Sequence, residues 1–368
     1  MALEPLNESQ GKPLRHRAKT EGEIFGRLID ESVDSLENAR AQKFAVTDLE
    51  SLQARIFLTP MHPMLELRYY IETEQSSDFY SIAYDHIFAR KSGLYFMGEH
   101  RVGKTRAILN AIDRLFEDMP SIAVFYHTAE RQLRQTKASF CYDLLKSFKS
   151  FASSKTNSVD RLPRFLITEA VKAGSRTCVI FIDEAQMLTV MQMRYLLEVW
   201  NQLAKEGFVL VTVLVGQKGL DSLKQLTNEE DQKAVVARFF AKGCSIGGLH
   251  SIDQLRNYLA AFDDKLVYPP NSQWTYSRFF CKQAYDNGWR LVGEADFLWD
   301  ALLHLTNPTS KMLKFSGFKL AFINDAIHSF LIDSMSVDMK KFKGSPKIWL
   351  DAVSAAATSD LLIGNGLS

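Results

Sequence analysis

Gly98-Glu99-His100-Arg101-Val102-Gly103-Lys104-Thr105 fits the pattern G-x-x-x-x-G-K-[ST] over its whole length, and its flanks decide what it is. Before it, Leu94-Tyr95-Phe96-Met97 is a short apolar run suited to a buried parallel strand. After it, Arg106 to Phe116 carries apolar residues at helical spacing. Strand, glycine loop and helix is the order a phosphate-binding loop requires. Gly98 and Gly103 permit backbone angles and close approach that a Cβ would block, so successive N–H groups can turn inward around phosphate oxygens. The N-terminus of the following helix adds its dipole. On this reading Gly98, Glu99, His100, Arg101, Val102, Gly103, Lys104, Thr105 and Arg106 wrap the phosphates of ATP. Lys104 reaches the β- and γ-phosphates as a point charge, and the Thr105 hydroxyl takes a place on Mg²⁺.

Working outward, three more apolar runs follow: Ile122 to Tyr126, Thr177 to Ile182 and Val209 to Val215. Helical patterns lie between them, including Thr136 to Phe151 and Met191 to Lys205. Apolar strands alternating with helices indicate an α/β fold with a central parallel sheet flanked by helices. From Leu249 the pattern turns helical throughout, with Ile252 to Phe262, Trp274 to Asn287, Glu294 to Leu305 and Lys319 to Asp333 as candidates, and Gly247-Gly248 marks the change. Four parts are expected: a helical N-terminal extension over 1–56, a nucleotide-binding core over 57–248, a smaller all-helical lid over 249–345, and a flexible C-terminal tail over 346–368.

The third strand runs into Asp183-Glu184. That places two carboxylates at the carboxyl edge of the sheet, where open α/β folds bind ligands. Asp183 would hold Mg²⁺, directly or through water, and Glu184 would orient and deprotonate the water that attacks the γ-phosphate. The competing structural reading, two acids capping the next helix, is weakened by the phosphate loop upstream. Val215-Gly216-Gln217 ends the fourth strand, which puts Gln217 between that water and the γ-phosphate, or else merely at the opening of a turn. Arg238 lies near the end of a helix before the last core strand. It is placed to act on a neighbour's nucleotide, and equally to form a surface ion pair.

The ordered set GEHRVGKT, FIDEAQ, LVGQ and VVARFF, followed by a helical domain, resembles an AAA+ ATPase, and within that superfamily it is similar to the TnsC/TniB group of DNA-transposition regulators. The resemblance runs from about Phe57 to Leu259. It implies that Gln217 is sensor 1 and Arg238 an arginine finger, so that ATP sits at the joints of a homo-oligomer, a ring or helical filament assembled on duplex DNA that recruits a transposase and answers to target-selection proteins. It also implies a grip on the DNA backbone, without base reading, by the segment after the second strand. There Arg131, Arg134 and Lys137 recur at helical spacing, with Thr136 adding a hydroxyl. The competing reading of that segment is a solvated basic helix face. One departure from the family pattern concerns sensor 2: where the lid should supply an arginine, Lys314 to Lys319 supplies only lysines, which lack the planar fork. The same ATPase core acting on protein partners, in signalling or secretion and without DNA, is the alternative function.

Composition narrows the rest. A formal net charge of +1 means that any nucleic-acid contact must come from a local basic stripe rather than a global field. The N-terminus lacks the apolar core of a signal peptide, and no run is long enough to span a bilayer, so a cytoplasmic protein without membrane contact is expected. Cys141, Cys178, Cys244 and Cys281 form no C-x-x-C pair, which favours reduced thiols over zinc or disulfides.

Overall fold

A computed structural model describes residues 49–66, 68–132, 136–150, 157–229, 233–306 and 317–357. Five parallel strands make the central sheet: β1 (Leu94–Met97), β2 (Ala123–Thr128), β3 (Thr177–Asp183), β4 (Val209–Gly216) and β5 (Lys242–Ser245). Their order across the sheet is β2-β3-β4-β1-β5. The first strand is therefore flanked by the last two, and both acidic-motif and glycine-loop strands lie beside β4.

Side chains along a strand alternate between faces, and here each face has its own core. Cys178, Ile180 and Ile182 of β3 and Leu210 and Leu214 of β4 point into one cluster, with Phe140, Leu166, Leu196 and Phe239. Val179 and Phe181 of β3 and Val211, Val213 and Val215 of β4 point into the other, with Phe79, Ile108 and Leu115. Burial on both faces explains why these strands read as continuous apolar runs rather than as alternating ones. The first cluster is covered by α4 (Lys137–Ser147), α5 (Ser158–Ala173) and α6 (Val190–Lys205), and the second by α2 (Glu74–Phe88) and α3 (Lys104–Asp118). Threonine starts α6 as a capping box: the Thr189 hydroxyl accepts from Gln192 N, and the Gln192 side chain accepts from Thr189 N. Two short helices, α7 (Gly219–Glu229) and α8 (Lys233–Phe239), lead from β4 to β5.

The remaining helices form a lid with a third core. They are α9 (Ile252–Asp264), α10 (Tyr276–Phe280), α11 (Lys282–Asp286), α12 (Ala295–Thr306), α13 (Leu320–Ser336) and α14 (Pro346–Ala356). The stretch expected as one helix over Trp274 to Asn287 is broken at Cys281, whose φ of −121° and ψ of 57° are not helical.

Two expected boundaries are corrected. Residues 346–356 are not a loose tail: they form α14, and Trp349 is fully buried, its ring stacked on Phe330 at 4.0 Å. Residues 358–368 lie outside the described residues. Nor does the core begin at 57. Helix α1 (Leu52–Leu58) and the proline-punctuated 3-10 turn after it (Thr59–Met61) pack with the lid: Leu49, Leu58 and Met64 lie in the lid's core, and Arg55 Nη1 donates to Phe279 O at 2.7 Å. Amphipathic spacing shows that a segment buries one face, but not which distant surface receives it. The first 48 positions of the expected N-terminal extension lie outside the described residues.

Candidate functional site

The loop from Gly98 to Thr105 joins β1 to α3 at the carboxyl edge of the sheet. Its glycines are there for different reasons. A Cβ on Gly98 would stand 2.4 Å from Ile246 O, so that position needs room. Gly103 has φ +99°, a left-handed conformation that side chains resist, and it serves as the residue before α3. Arg101, at φ 63°, adds a second left-handed turn, and its carbonyl accepts from Ala321 N of the lid at 3.3 Å.

Lys104 is buried, and its ammonium donates to Glu99 O at 2.8 Å and Gly98 O at 3.2 Å. Burial lowers its pKa, opposed by the nearby carboxylates of Glu184, Asp183 and Glu99. Lys319, the residue capping α13, adds a like charge from the lid side. The lid therefore brings a lysine toward the phosphate loop; Lys314 lies outside the described residues.

Thr105 and Asp183 meet across the sheet edge, the hydroxyl donating to Asp183 Oδ2 at 2.5 Å. Asp183 is buried and accepts also from Glu184 N at 2.8 Å and from the Tyr126 hydroxyl at 3.3 Å. A hydroxyl and a carboxylate held together, beside a lysine and a glycine cradle, are the hard oxygen donors that suit a magnesium ion. Glu184 turns out of the strand at φ 51°, and its Oε2 accepts from the amides of Gln186 and Gln217, the latter at 3.3 Å. Lys104, Thr105, Asp183, Glu184 and Gln217, drawn from β1–α3, β3 and β4, are thus gathered at one place.

A cavity of about 350 Å³ opens between core and lid. His100, Arg101, Val102, Gly103, Lys104, Thr105 and Arg106 line one wall with Glu184; Tyr70 and Ile71 line another; Leu320, Asn324 and Asp325 of α13 close it. Asn324 is fixed from behind, its Oδ1 accepting from Tyr258 at 2.7 Å and Tyr69 at 3.0 Å. Tyr126 and the lid residues Asn324 and Asp325 carry no signature that spacing alone reveals. Gln186 had one signal: it stands two residues after the acidic pair, opposite a strand that ends in glycine.

Arg238 does not line this cavity. It is exposed on α8 and lies over the Trp200 ring, 4.1 Å from its centroid, a cation–π contact rather than an ion pair. The basic stripe after β2 is corrected. Helix α4 begins only at Lys137, and Thr136 is its cap, the hydroxyl accepting from Ser139 N at 3.2 Å. Arg131 is exposed in the irregular segment before it, and Lys137 is paired with Glu198. Helical spacing therefore does not align Arg131 with Lys137, because a threonine well suited to capping starts the helix at Lys137, after Arg131. Arg134 lies outside the described residues.

Cys141, Cys178 and Cys281 are buried free thiols, and burial pushes Cys141 up to about 11 and Cys178 up to about 12. Among the described residues no cluster of three metal-ligating side chains occurs, and no helix is long and apolar enough to cross a membrane.

Comparison with known proteins agrees with this geometry. Residues 89–223, from the turn before β1 into α7, match the family described as the AAA domain. The sheet and loop are accordingly those of the AAA+ P-loop fold, followed by a helical region. No curated protein matches the chain. Similar solved structures include the Aeropyrum pernix ORC2 protein in ADPNP–ADP complexes, at 10% identity and TM-score 0.47, covering 80% of this chain and 70% of that one. Domain III of the Thermotoga maritima replication initiation protein DnaA gives 14% identity and TM-score 0.42, covering 78% and 94%. Drosophila ORC bound to DNA gives 15% identity and TM-score 0.44, covering 79% and 63%.

Proposed function

We propose that this protein is an ATP-hydrolysing AAA+ switch whose nucleotide site is completed by a second copy of itself, and that it works on duplex DNA as a regulator of transposition. The observation that carries the ATPase part is the convergence of Lys104, Thr105, Asp183, Glu184 and Gln217 at the mouth of the core–lid cavity. In the ATP-bound state Lys104 would exchange its loop carbonyls for the β- and γ-phosphates. Thr105 and Asp183 would hold Mg²⁺, which screens the phosphate charge. Glu184 would accept a proton from water as the water oxygen bonds to the γ-phosphorus; the bond to the β–γ bridging oxygen breaks and its electron pair leaves with ADP. Gln217, already hydrogen-bonded to Glu184, would help to place that water.

Arg238 sits outside its own cavity and exposed, as a residue must that supplies charge to a neighbour's nucleotide. ATP would then act chiefly as a joint between subunits, and hydrolysis would loosen it. The DNA and transposase parts of the proposal rest on the resemblance of the ordered motifs to TnsC/TniB regulators. Arg131, exposed beside the edge of β2, is the described residue free to take part in a backbone contact from that segment. The pairing of Lys137 with Glu198 favours the second reading, a switch acting on protein partners without DNA.

The test is electron imaging of the purified protein with short duplex DNA and a slowly hydrolysed ATP analogue or ADP. Rings or filaments that need both DNA and the analogue support the proposal, and their loss in Lys104→Ala ties them to the phosphate loop. Assembly with the analogue that ignores DNA would move the function to protein partners. ATP-dependent assembly that survives Lys104→Ala would overturn the nucleotide role.

A further inference from the structure

Gln186 has been given no role by the chemistry above, yet its surroundings are shaped around it. Its side-chain amide is used at both ends: Nε2 donates to Glu184 Oε2, and Oε1 accepts from Gln217 N at 3.0 Å. The Gln217 side chain closes the ring by donating to the same Glu184 oxygen at 3.3 Å. Acceptor toward the backbone N–H and donor toward the carboxylate is the orientation that satisfies both contacts.

The slot for this side chain is cut by two glycines. A Cβ on Gly216 would stand 2.5 Å from Gln186 Oε1, and one on Gly219 would stand 3.1 Å from Gln186 Cβ. Neither glycine has a left-handed φ, so what each provides is space. Glu184, by contrast, is left-handed at φ 51°, a conformation that a residue with a Cβ resists. Its backbone is held by Asp183 Oδ1, which accepts from Glu184 N at 2.8 Å, and its side chain by the two amides.

We propose that Gln186 is a positioning residue for ATP hydrolysis, an inference that rests on the hydrolytic reading above. It binds the ends of β3 and β4 into one unit, so that Glu184 and Gln217 meet the attacking water in fixed register. Both amides converge on Oε2, which leaves Oε1 to receive the proton from water. Glutamine is the residue this requires. Glutamate would set an acceptor and a like charge against Glu184, asparagine is one methylene too short, and alanine removes both bonds.

The experiment measures steady-state ATP hydrolysis with Mg²⁺, with and without duplex DNA, alongside binding of a fluorescent ATP analogue, for wild type, Gln186→Ala, Gln186→Glu, Gln217→Ala and the Gln186→Ala/Gln217→Ala double variant. Loss of a positioning group predicts kcat down by about 10- to 100-fold, with analogue affinity within about twofold of wild type. The double variant should lose less than the product of the single losses, because both act through one carboxylate. Gly216→Ala, whose Cβ would press on Gln186 Oε1 while leaving both glutamines in the sequence, should reproduce the kcat loss and guards against a folding defect peculiar to position 186; circular dichroism checks each variant. Wild-type hydrolysis with full activity in Gln186→Ala overturns this proposal alone, as does an equal loss of analogue affinity and kcat. A wild type that binds the analogue but hydrolyses no ATP under either condition removes the hydrolytic reading and this proposal with it.

Discussion

Trp349 offers the sharpest test of how the lid is built, because the residue lies in the stretch expected as a flexible tail. Its side chain is fully buried, stacked on Phe330 with ring centroids 4.0 Å apart and planes 10° apart. Its indole Nε1 donates to Glu294 Oε2 at 3.1 Å. Glu294 is itself buried, and its other oxygen accepts from Trp289 Nε1 at 2.8 Å and Gly344 N at 3.0 Å. Trp349→Ala removes the ring, at a cost of about 3–5 kcal/mol for a fully buried tryptophan. It also takes one of the three donors from a buried carboxylate, which adds about 1–2 kcal/mol. The expected loss is about 5 kcal/mol, a large share of the roughly 5–15 kcal/mol that holds a typical protein folded. Trp349→Phe keeps most of the stack and should lose only about 1–3 kcal/mol, chiefly the hydrogen bond. Urea unfolding followed by circular dichroism at the helical minimum reads both without depending on tryptophan fluorescence. Because α13 carries Leu320, Asn324 and Asp325 to the nucleotide cavity and packs along α14, Trp349→Ala should also weaken binding of an ATP analogue. A Trp349→Ala protein within about 1 kcal/mol of wild type would show that α14 is not docked, and would restore the reading of this region as a tail.

Other consequences are as direct. Thr212 is fully buried in β4, and its hydroxyl has no hydrogen-bond partner among the described residues, so Thr212→Val should stabilise by about 1 kcal/mol; a lower melting temperature would mean that the hydroxyl is satisfied after all. His127 and His328 are held neutral by burial, each with its pKa lowered from 6.5 to about 4. Between those values the unfolded chain binds the protons and the folded chain does not, so stability is complete above pH 6.5 and falls as pH drops toward 4, by up to about 1.4 kcal/mol per pH unit for each histidine. Urea midpoints across that range that stay flat in wild type would refute it. Arg238→Ala should change stability by less than about 1 kcal/mol, since it gives up only an exposed contact with Trp200, while abolishing ATP-dependent assembly measured by light scattering. Assembly that persists would exclude Arg238 as a subunit joint.

The phosphate loop, the acidic pair and the buried strands were legible because each rests on local physics. Gly103 must take a left-handed turn whatever surrounds it, and a strand buried on both faces, such as Thr177–Asp183, has to be apolar throughout. The order of those segments along the chain was therefore enough to read a parallel α/β core with its nucleotide site at one sheet edge. Tertiary structure decided the rest. Only the sheet order β2-β3-β4-β1-β5 brings Gln217 to Glu184, and only packing shows that Gln186 fills a slot left by Gly216 and Gly219. Arg131 and Lys137 read as one helix face by spacing, but Thr136 caps α4 after Arg131 and Glu198 pairs with Lys137. Residues 49–66 and 346–356 each carried an apolar face, and sequence spacing is silent on the partner of such a face. That choice is made by long-range contacts, such as Arg55 with Phe279 and Trp349 with Phe330, between residues far apart in the chain.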